Sequence, residues 1–374
     1  MKKWGHTIGV GLLSAIGLLS AGYFLLQEKP RPVSELIQLS TIGPRGETPV
    51  SSDVLYLIDS QVTSVRKMNL KAAVVLHDTQ TDFSRVLIKG LKQELTYLGI
   101  DLIYLSDAGF DPYIERLQLI TALLKNPDLL IILPLNPDDL TYYLKLARER
   151  NTSVAFLNNL PADLEHPQEY AGVVTSDLFQ MGRYAAEMIA NAIKGHGEVA
   201  LLYHDSPYYF INQRDNAVKT VLEHRYPNIK IVAREGVNSV EETEAKTVEI
   251  LKAHPEVDAI YAPWASFAKG SLKGIKKQKN KDVKLFTIDF DKDLSKDMAN
   301  DGNVGGFVVD HPFDLGLALV RVGVLSKIGE PTPALTTVGV EKVDKKNLVV
   351  RWREIQHEEI PLDIIDADTM NGDR

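Results

Sequence analysis

Two dipeptides carry side chains that could do chemistry. His77-Asp78 closes the apolar run of AVVLHDTQTDF (73–83), and His204-Asp205 closes that of ALLYHDSPYYF (200–210), 127 positions later. Imidazole and carboxylate both ligate divalent ions, so two such pairs facing one another could hold zinc. The competing reading has each His packing at a strand end or bonding a solute, while each Asp caps a helix. No HExxH-type spacing within one element supports the metal. Aromatic side chains form the second set: Phe83, Tyr208, Tyr209, Phe210 and Trp264 follow apolar runs, where flat rings could meet the C–H face of a sugar. One or two of these five are expected to be packing instead. Nucleophile elbows (GxSxG), phosphate-cradling GxxxxGK[ST] loops and GxGxxG turns after a strand are all absent.

The elements that would position these residues repeat. KAAVVLH (71–77), IDLIYL (100–105), DLLIILP (128–134), SVAFLN (153–158) and AGVVTS (171–176) are near-continuous apolar runs separated by amphipathic segments. Runs of that kind imply strands buried on both faces, hence a parallel sheet between layers of helices. The second half gives EVALLYH (198–204), IKIVARE (229–235), DAIYAPW (258–264), VKLFTID (283–289) and GGFVVD (305–310) in the same order. Pro134 is answered by Pro263, and the helix glycine Gly182 by Gly316. Five strands matched in order predict two similar doubly wound α/β domains. Ligands of open parallel sheets bind beyond the carboxyl ends of the strands, and each His-Asp pair stands at such an end.

Bulk properties narrow the classes. The chain has 374 residues, a formal net charge of −8 and no cysteine. The acidic balance argues against nucleic acid, and the missing thiols exclude disulfides and thiolate metal sites. Lys2 and Lys3 precede Ile8 to Leu26, nineteen residues without a charge. Residues 1–26 therefore read as a signal peptide or an N-terminal membrane anchor, the span being about 28 Å as a helix. Tyr23 to Leu26 extend the apolar run past the small residues Ser20-Ala21-Gly22, which favours the anchor. Either reading places the remainder in the periplasm or on the outer face of the cytoplasmic membrane. Residues 27–53, with four prolines, read as a linker, and 50–69 as leading into the first domain through a short helix.

The duplicated plan, together with TSDLFQMGRYAAEMIA (175–190), NQR (212–214), YAPWASFAKG (261–270) and TIDFD (287–291), resembles type I periplasmic solute-binding proteins of the ribose and sugar branch. The likeness runs from about Leu70 to about Pro361. It implies a clamshell of two Rossmann-like lobes joined by a three-crossover hinge: an N-terminal lobe over 54–176 and 311–337, a C-terminal lobe over 177–310 and 338–361, and a tail over 362–374. On the same grounds the cleft aromatic falls on Phe83, the charged pair after the fourth strand on Asn158 and Asn159, and the cleft arginine on Arg214. The polar position after the third strand of the second lobe falls on Trp264, the acid after its fourth on Asp289, and the hinge position on Asp310. His77, Asp82 and Phe210 complete the candidate ligand-binding set. Loss of the charged pair at Asn158 and Asn159 points away from ribose.

The resemblance implies a monomeric extracytoplasmic protein that closes on a carbohydrate-like solute and delivers it to an ABC permease, with no cofactor, no catalysis and no nucleic acid. One alternative is a membrane-anchored sensing subunit that reports the solute to a signalling partner. Another is a metal-dependent enzyme or metal-binding protein using His77, Asp78, His204 and Asp205.

Overall fold

Strand formation follows from alternation hidden inside the apolar runs. In β2 (Lys71–Leu76), Ala72, Val74 and Leu76 pack into one buried layer while Ala73 and Val75 pack into another. In β4 (Leu129–Ile132), Leu129 and Ile131 join the first layer and Leu130 and Ile132 the second. Successive side chains of a strand point to opposite faces, so a run apolar at every position is buried on both. The computed structural model describes residues 41–365 apart from 162, 207, 280 and 281. The expected signal peptide or anchor, most of the linker and most of the tail lie outside them.

The first sheet adds β3 (Asp101–Asp107), β5 (Ser153–Leu157), β6 (Gly172–Ser176), β1 (Val50–Ser51) and β12 (Leu335–Val338), in the order β1-β12-β6-β5-β4-β2-β3, all parallel. The second comprises β7 (Gly197–His204), β8 (Ile229–Val237), β9 (Ala259–Ala262), β10 (Lys284–Ile288), β11 (Val304–Asp310) and β13 (Val340–Val343), in the order β13-β11-β10-β9-β7-β8. Only β13 is antiparallel to its neighbour. Numbering the five repeated strands within each half gives 2-1-3-4-5 twice. Strand order reverses between the first and third, so the crevice of each lobe opens beside the loops after those strands.

Helices cover both sheets. Those of the first half are α1 (Asp59–Met68), α2 (Asp82–Leu98), α3 (Pro112–Leu124) and α4 (Thr141–Glu149). Next come α5 (Leu178–Ala192), α6 (Tyr209–Arg225), α7 (Val240–Ala253), α8 (Ala265–Lys277), α9 (Lys292–Ala299), α10 (Pro312–Lys327) and α11 (Leu348–Gln356). The recurring helix glycine has a physical cause: a Cβ at Gly182 on α5 would overlap the Arg214 carbonyl oxygen, and one at Gly316 on α10 would overlap that of Leu87. Each is the point where a crossover helix lies closest against the first helix of its lobe, α6 or α2. The chain crosses between the sheets three times: after Ser176 into α5, after Asp310 into α10, and between Val338 and Val340.

The expected linker is corrected at its C-terminal part. From Thr41 the chain is held to the folded body: Thr41 N donates to Asp177 Oδ1 (3.0 Å), the Tyr209 hydroxyl donates to Gly43 O (3.1 Å), and Gln213 Nε2 donates to Ile42 O (2.7 Å). Val50 and Ser51 then add an edge strand beside β12. A turn of 3-10 helix follows, so the expected helix over 50–69 is confined to α1. The tail also begins later than expected, because Ile364 is fully buried in the second lobe's core.

Candidate functional site

The first wall is built on the loop after β2. Asp78 accepts from Gln80 N (2.7 Å), Thr81 N (2.8 Å), Thr81 Oγ1 (3.0 Å) and Ser84 Oγ (2.8 Å), fastening the turn into α2. Burial pushes its carboxyl up, but those bonds and His77 outweigh it and hold it below the usual range. His77 Nε2 lies 3.1 Å from Asp78 Oδ2, and burial lowers the imidazole's pKa despite Asp78 and Asp107. A neutral ring that donates from Nε2 to Asp78 leaves Nδ1 a buried acceptor with no partner. The rings of Phe83 (6.5 Å) and Phe110 (5.1 Å) meet it edge-on.

The second wall is charged. Arg214 is 1% exposed; its Nε donates to Asp215 Oδ1 (2.9 Å), its guanidinium lies 5.0 Å from the centre of the Trp264 ring, and Nη2 has no partner. Asp215 also accepts from the Tyr261 hydroxyl (2.9 Å) and from His204 N (3.1 Å). Burial would lower the Arg214 pKa, yet Asp215, Tyr261 and Asp289 drive it upward, so the guanidinium stays charged. Trp264 packs against His204 (4.6 Å between ring centres), which stacks on Tyr208 at 5.5 Å. Burial and the nearby Arg214 push His204 down to about 4, a neutral imidazole.

Asp289 and Asp310 complete that wall. Burial and mutual repulsion raise the Asp289 carboxyl to about 8, with Arg214 partly opposing. Burial also raises Asp310, which accepts from Ser176 Oγ at 2.6 Å across the hinge. Like charges at close quarters cannot both ionise cheaply, so the pair holds a proton near neutral pH. A small cavity at the hinge brings Phe83 of the first lobe against Asp289, Phe290, Val309 and Asp310 of the second. Nearby, the Tyr208 hydroxyl donates to Leu135 O (2.6 Å), linking the two lobes across the cleft. Beneath that loop, Leu135 N donates to Glu115 Oε1 (2.9 Å), and burial raises the Glu115 carboxyl to about 7.

Other candidates fall differently. Asn158 and Asp289 each follow the fourth strand of a lobe, each with left-handed backbone (φ 58° and 68°), and each donates its N–H to the fifth strand at 3.0 Å. Asn158 Oδ1 accepts from Thr175 Oγ1 (2.9 Å); Asn159 donates to Pro134 O (3.1 Å) and keeps a buried, unpartnered Oδ1. Asp82 pairs with Arg85 on its own helix and feels Lys269 and Asp291 of the second lobe. Phe210 is corrected from ligand platform to core: it is 1% exposed and packs with Ile211 and Val218. The ion pair of Arg214 with its neighbour Asp215 is buried. The four His-Asp residues do not assemble as ligands: among the described residues no group of three or more His, Asp or Glu side chains could hold a metal. Asp205, the twin of Asp78, is exposed.

Ser176, Asp215 and Tyr261 escaped notice as parts of the site, while Tyr208, read only as a ring, also bonds across the cleft through its hydroxyl. Asp215 had a readable signal, being adjacent to Arg214, and Ser176 had another, being the last residue before the first crossing.

Comparison with known proteins matches residues 72–330 to the periplasmic binding protein domain. Among solved structures, a carbohydrate transporter solute-binding protein from Agrobacterium radiobacter, in complex with D-arabinose, is 21% identical with a TM-score of 0.67, over 76% of this chain and 98% of that one. An ABC transporter solute-binding protein from Agrobacterium vitis, bound with α-D-tagatopyranose, is 17% identical with a TM-score of 0.69, over 78% and 99%. The arabinose-binding protein of Geobacillus stearothermophilus is 18% identical with a TM-score of 0.66, over 75% and 98%. Two lobes of one strand order, three crossings and a family model spanning most of the chain lead to one assignment: the chain belongs to the periplasmic binding protein family.

Proposed function

We propose that the protein captures a small sugar- or polyol-like solute outside the cytoplasmic membrane, by closing its lobes at the hinge, and delivers it to an ABC importer. The observation that carries this reading is the grouping at the hinge: Phe83 of one lobe shares a small cavity with Asp289 and Asp310 of the other, and the Arg214 charge acts on both carboxyls. A polyol presents C–H faces to a ring and hydroxyls that both donate and accept. Phe83 stacks on the sugar face, with Trp264 as a second platform. Arg214 Nη2 donates, the Asp289–Asp310 pair with its one shared proton both accepts and donates, and His77 Nδ1 accepts from a sugar hydroxyl. Asn158, Asn159 and Asp82 line the first-lobe side. Charged hydrogen bonds contribute about 1.5–3 kcal/mol each, so three or four reach the ~8 kcal/mol of micromolar binding. Ligand bound between the lobes shifts the hinge equilibrium toward the closed state by its differential affinity.

Calorimetric titration with pentoses, hexoses and polyols tests the reading. Saturable binding of one of them, lost in Phe83→Ala, supports it; binding of none sinks it.

A sensing role is favoured by one observation, the docking of residues 41–43 on Asp177, Tyr209 and Gln213 at the hinge. In that reading the N-terminal segment reports closure to a membrane partner. Uptake of labelled solute by cells lacking the protein separates the two: transport requires that uptake falls.

A further inference from the structure

Helix α3 has two apolar faces and the fold uses only one. Leu119, Ala122 and Leu123 are buried against the first sheet. Tyr113, Leu117, Ile120 and Leu124 point the other way and are 60%, 47%, 37% and 64% exposed. Their spacing of four, three and four residues is that of a coiled-coil seam, whose knobs need the holes of a facing helix. A helix apolar all round is ordinarily buried on all sides. Ile114, on the same helix, widens the patch. Together these five side chains offer a patch of a few hundred Å², beyond what scattered exposed residues give and approaching the ~800 Å² each partner brings to a standard interface.

We infer that α3 is a homodimerisation surface, on which a second copy of this chain lays the same stripe across a two-fold axis. Self-association is favoured over a charged partner or a lipid surface by the electrostatics of the patch. Arg116, half-buried, is the one charge of the helix that reaches solvent, and it is neutralised by Asp139 at 2.9 Å while lying 5.8 Å from the Tyr113 ring centre. Glu115 is buried. Two copies therefore meet without like-charge repulsion, and an isologous contact makes one apolar patch cover another of equal size. The dimer replaces the monomer expected from the sequence, and it leaves the hinge cavity untouched.

The test uses the full chain, in detergent where its N-terminal segment is retained. Sedimentation of the wild type over a concentration series is compared with that of Leu117→Glu and Leu124→Glu, both at exposed positions, with thermal unfolding as the check on folding. Because the chain has no cysteine, Leu117→Cys places a single thiol at the middle of the stripe. Whichever way the two helices cross, that residue lies near its own mate. The expected result is a wild-type dimer whose dissociation constant rises at least about tenfold in either Glu variant, with Leu117→Cys cross-linked on mild oxidation. A monomer at every concentration overturns the proposal. So does a dimer indifferent to both Glu variants and not cross-linked through Leu117→Cys, since another face would then hold it.

Discussion

At equivalent places in the two lobes, the chain carries opposite chemistry. Leu87 of α2 faces Gly316 exactly as a packing partner must, through its carbonyl; Arg214 of α6 stands in the same relation to Gly182. Strand register carries the equivalence further, for Ile131 pairs with Val74 as Tyr261 pairs with Leu201. The first lobe therefore fills these positions with Leu87 and Ile131, and the second with an Arg214–Asp215–Tyr261 network. A buried ion pair gives little net stability over a well-packed hydrophobic alternative. The first lobe demonstrates that alternative within the same molecule. In the proposed reading the polar network is kept for the unpartnered Nη2 and the charge it sets near Asp289 and Asp310, and not for what it adds to the fold. The His-Asp twins teach the same lesson in reverse: Asp78 fastens its own loop, Asp205 is exposed, and in the second lobe Asp215 takes the strand-end N–H of His204.

The contrast can be broken most forcefully at Arg214. Arg214→Met strands Asp215 in the core, so stability should fall by about 3–5 kcal/mol and solute binding should vanish. Leu87→Met, its twin, should cost less than about 1.5 kcal/mol. Equal losses in denaturant unfolding would dissolve the distinction between the lobes.

The pH profile comes next. Asp289 at about 8 and Glu115 at about 7 both keep protons that the unfolded chain has already lost above pH 4. Folding takes up protons across that interval, so stability should fall as pH rises from about 4 to about 8 and level off above. Asp289→Asn should flatten the upper part of the slope and Glu115→Gln the part below it. A melting temperature independent of pH over this range would place both carboxyls in water.

Phe83→Ala should weaken solute binding by about 1–3 kcal/mol with little change in unfolding, if the first wall contributes mainly a ring face. Smallest is the comparison of the twin acids. Asp78→Ala should cost about 1–3 kcal/mol because it strands the donors of the α2 turn. Asp205→Ala should stay within about 0.5 kcal/mol. Parity between them would mean that the two loops are held alike.

Much of the scaffold was legible because burial on both faces leaves a mark at every position of a strand, and the repeated glycine marks where helices touch. Short elements left no such mark: Val50 and Ser51 make a strand of two residues, too brief for any period, and read as linker. The site was legible as positions but not as partnerships. Arg214, Asp289 and Asp310 do meet around the hinge, and Asp78 takes the helix-capping alternative, yet nothing in residue type tells that its twin Asp205 does not or that Phe210 turns into the core. Asn158 and Asp289 offered one signal unused: short polar side chains tolerate left-handed backbone, and a strand end that demands it selects them.

The segment around Thr41 has a mechanical consequence. Its bonds to Asp177 and its edge strand beside β12 fix the incoming chain next to two of the three crossings. A clamshell suspended from its pivot swings both shells while the point of suspension stays still. Thr41 is therefore fastened to the axle and not to a rim, close to where a report of closure would be read as a turn and not as a pull.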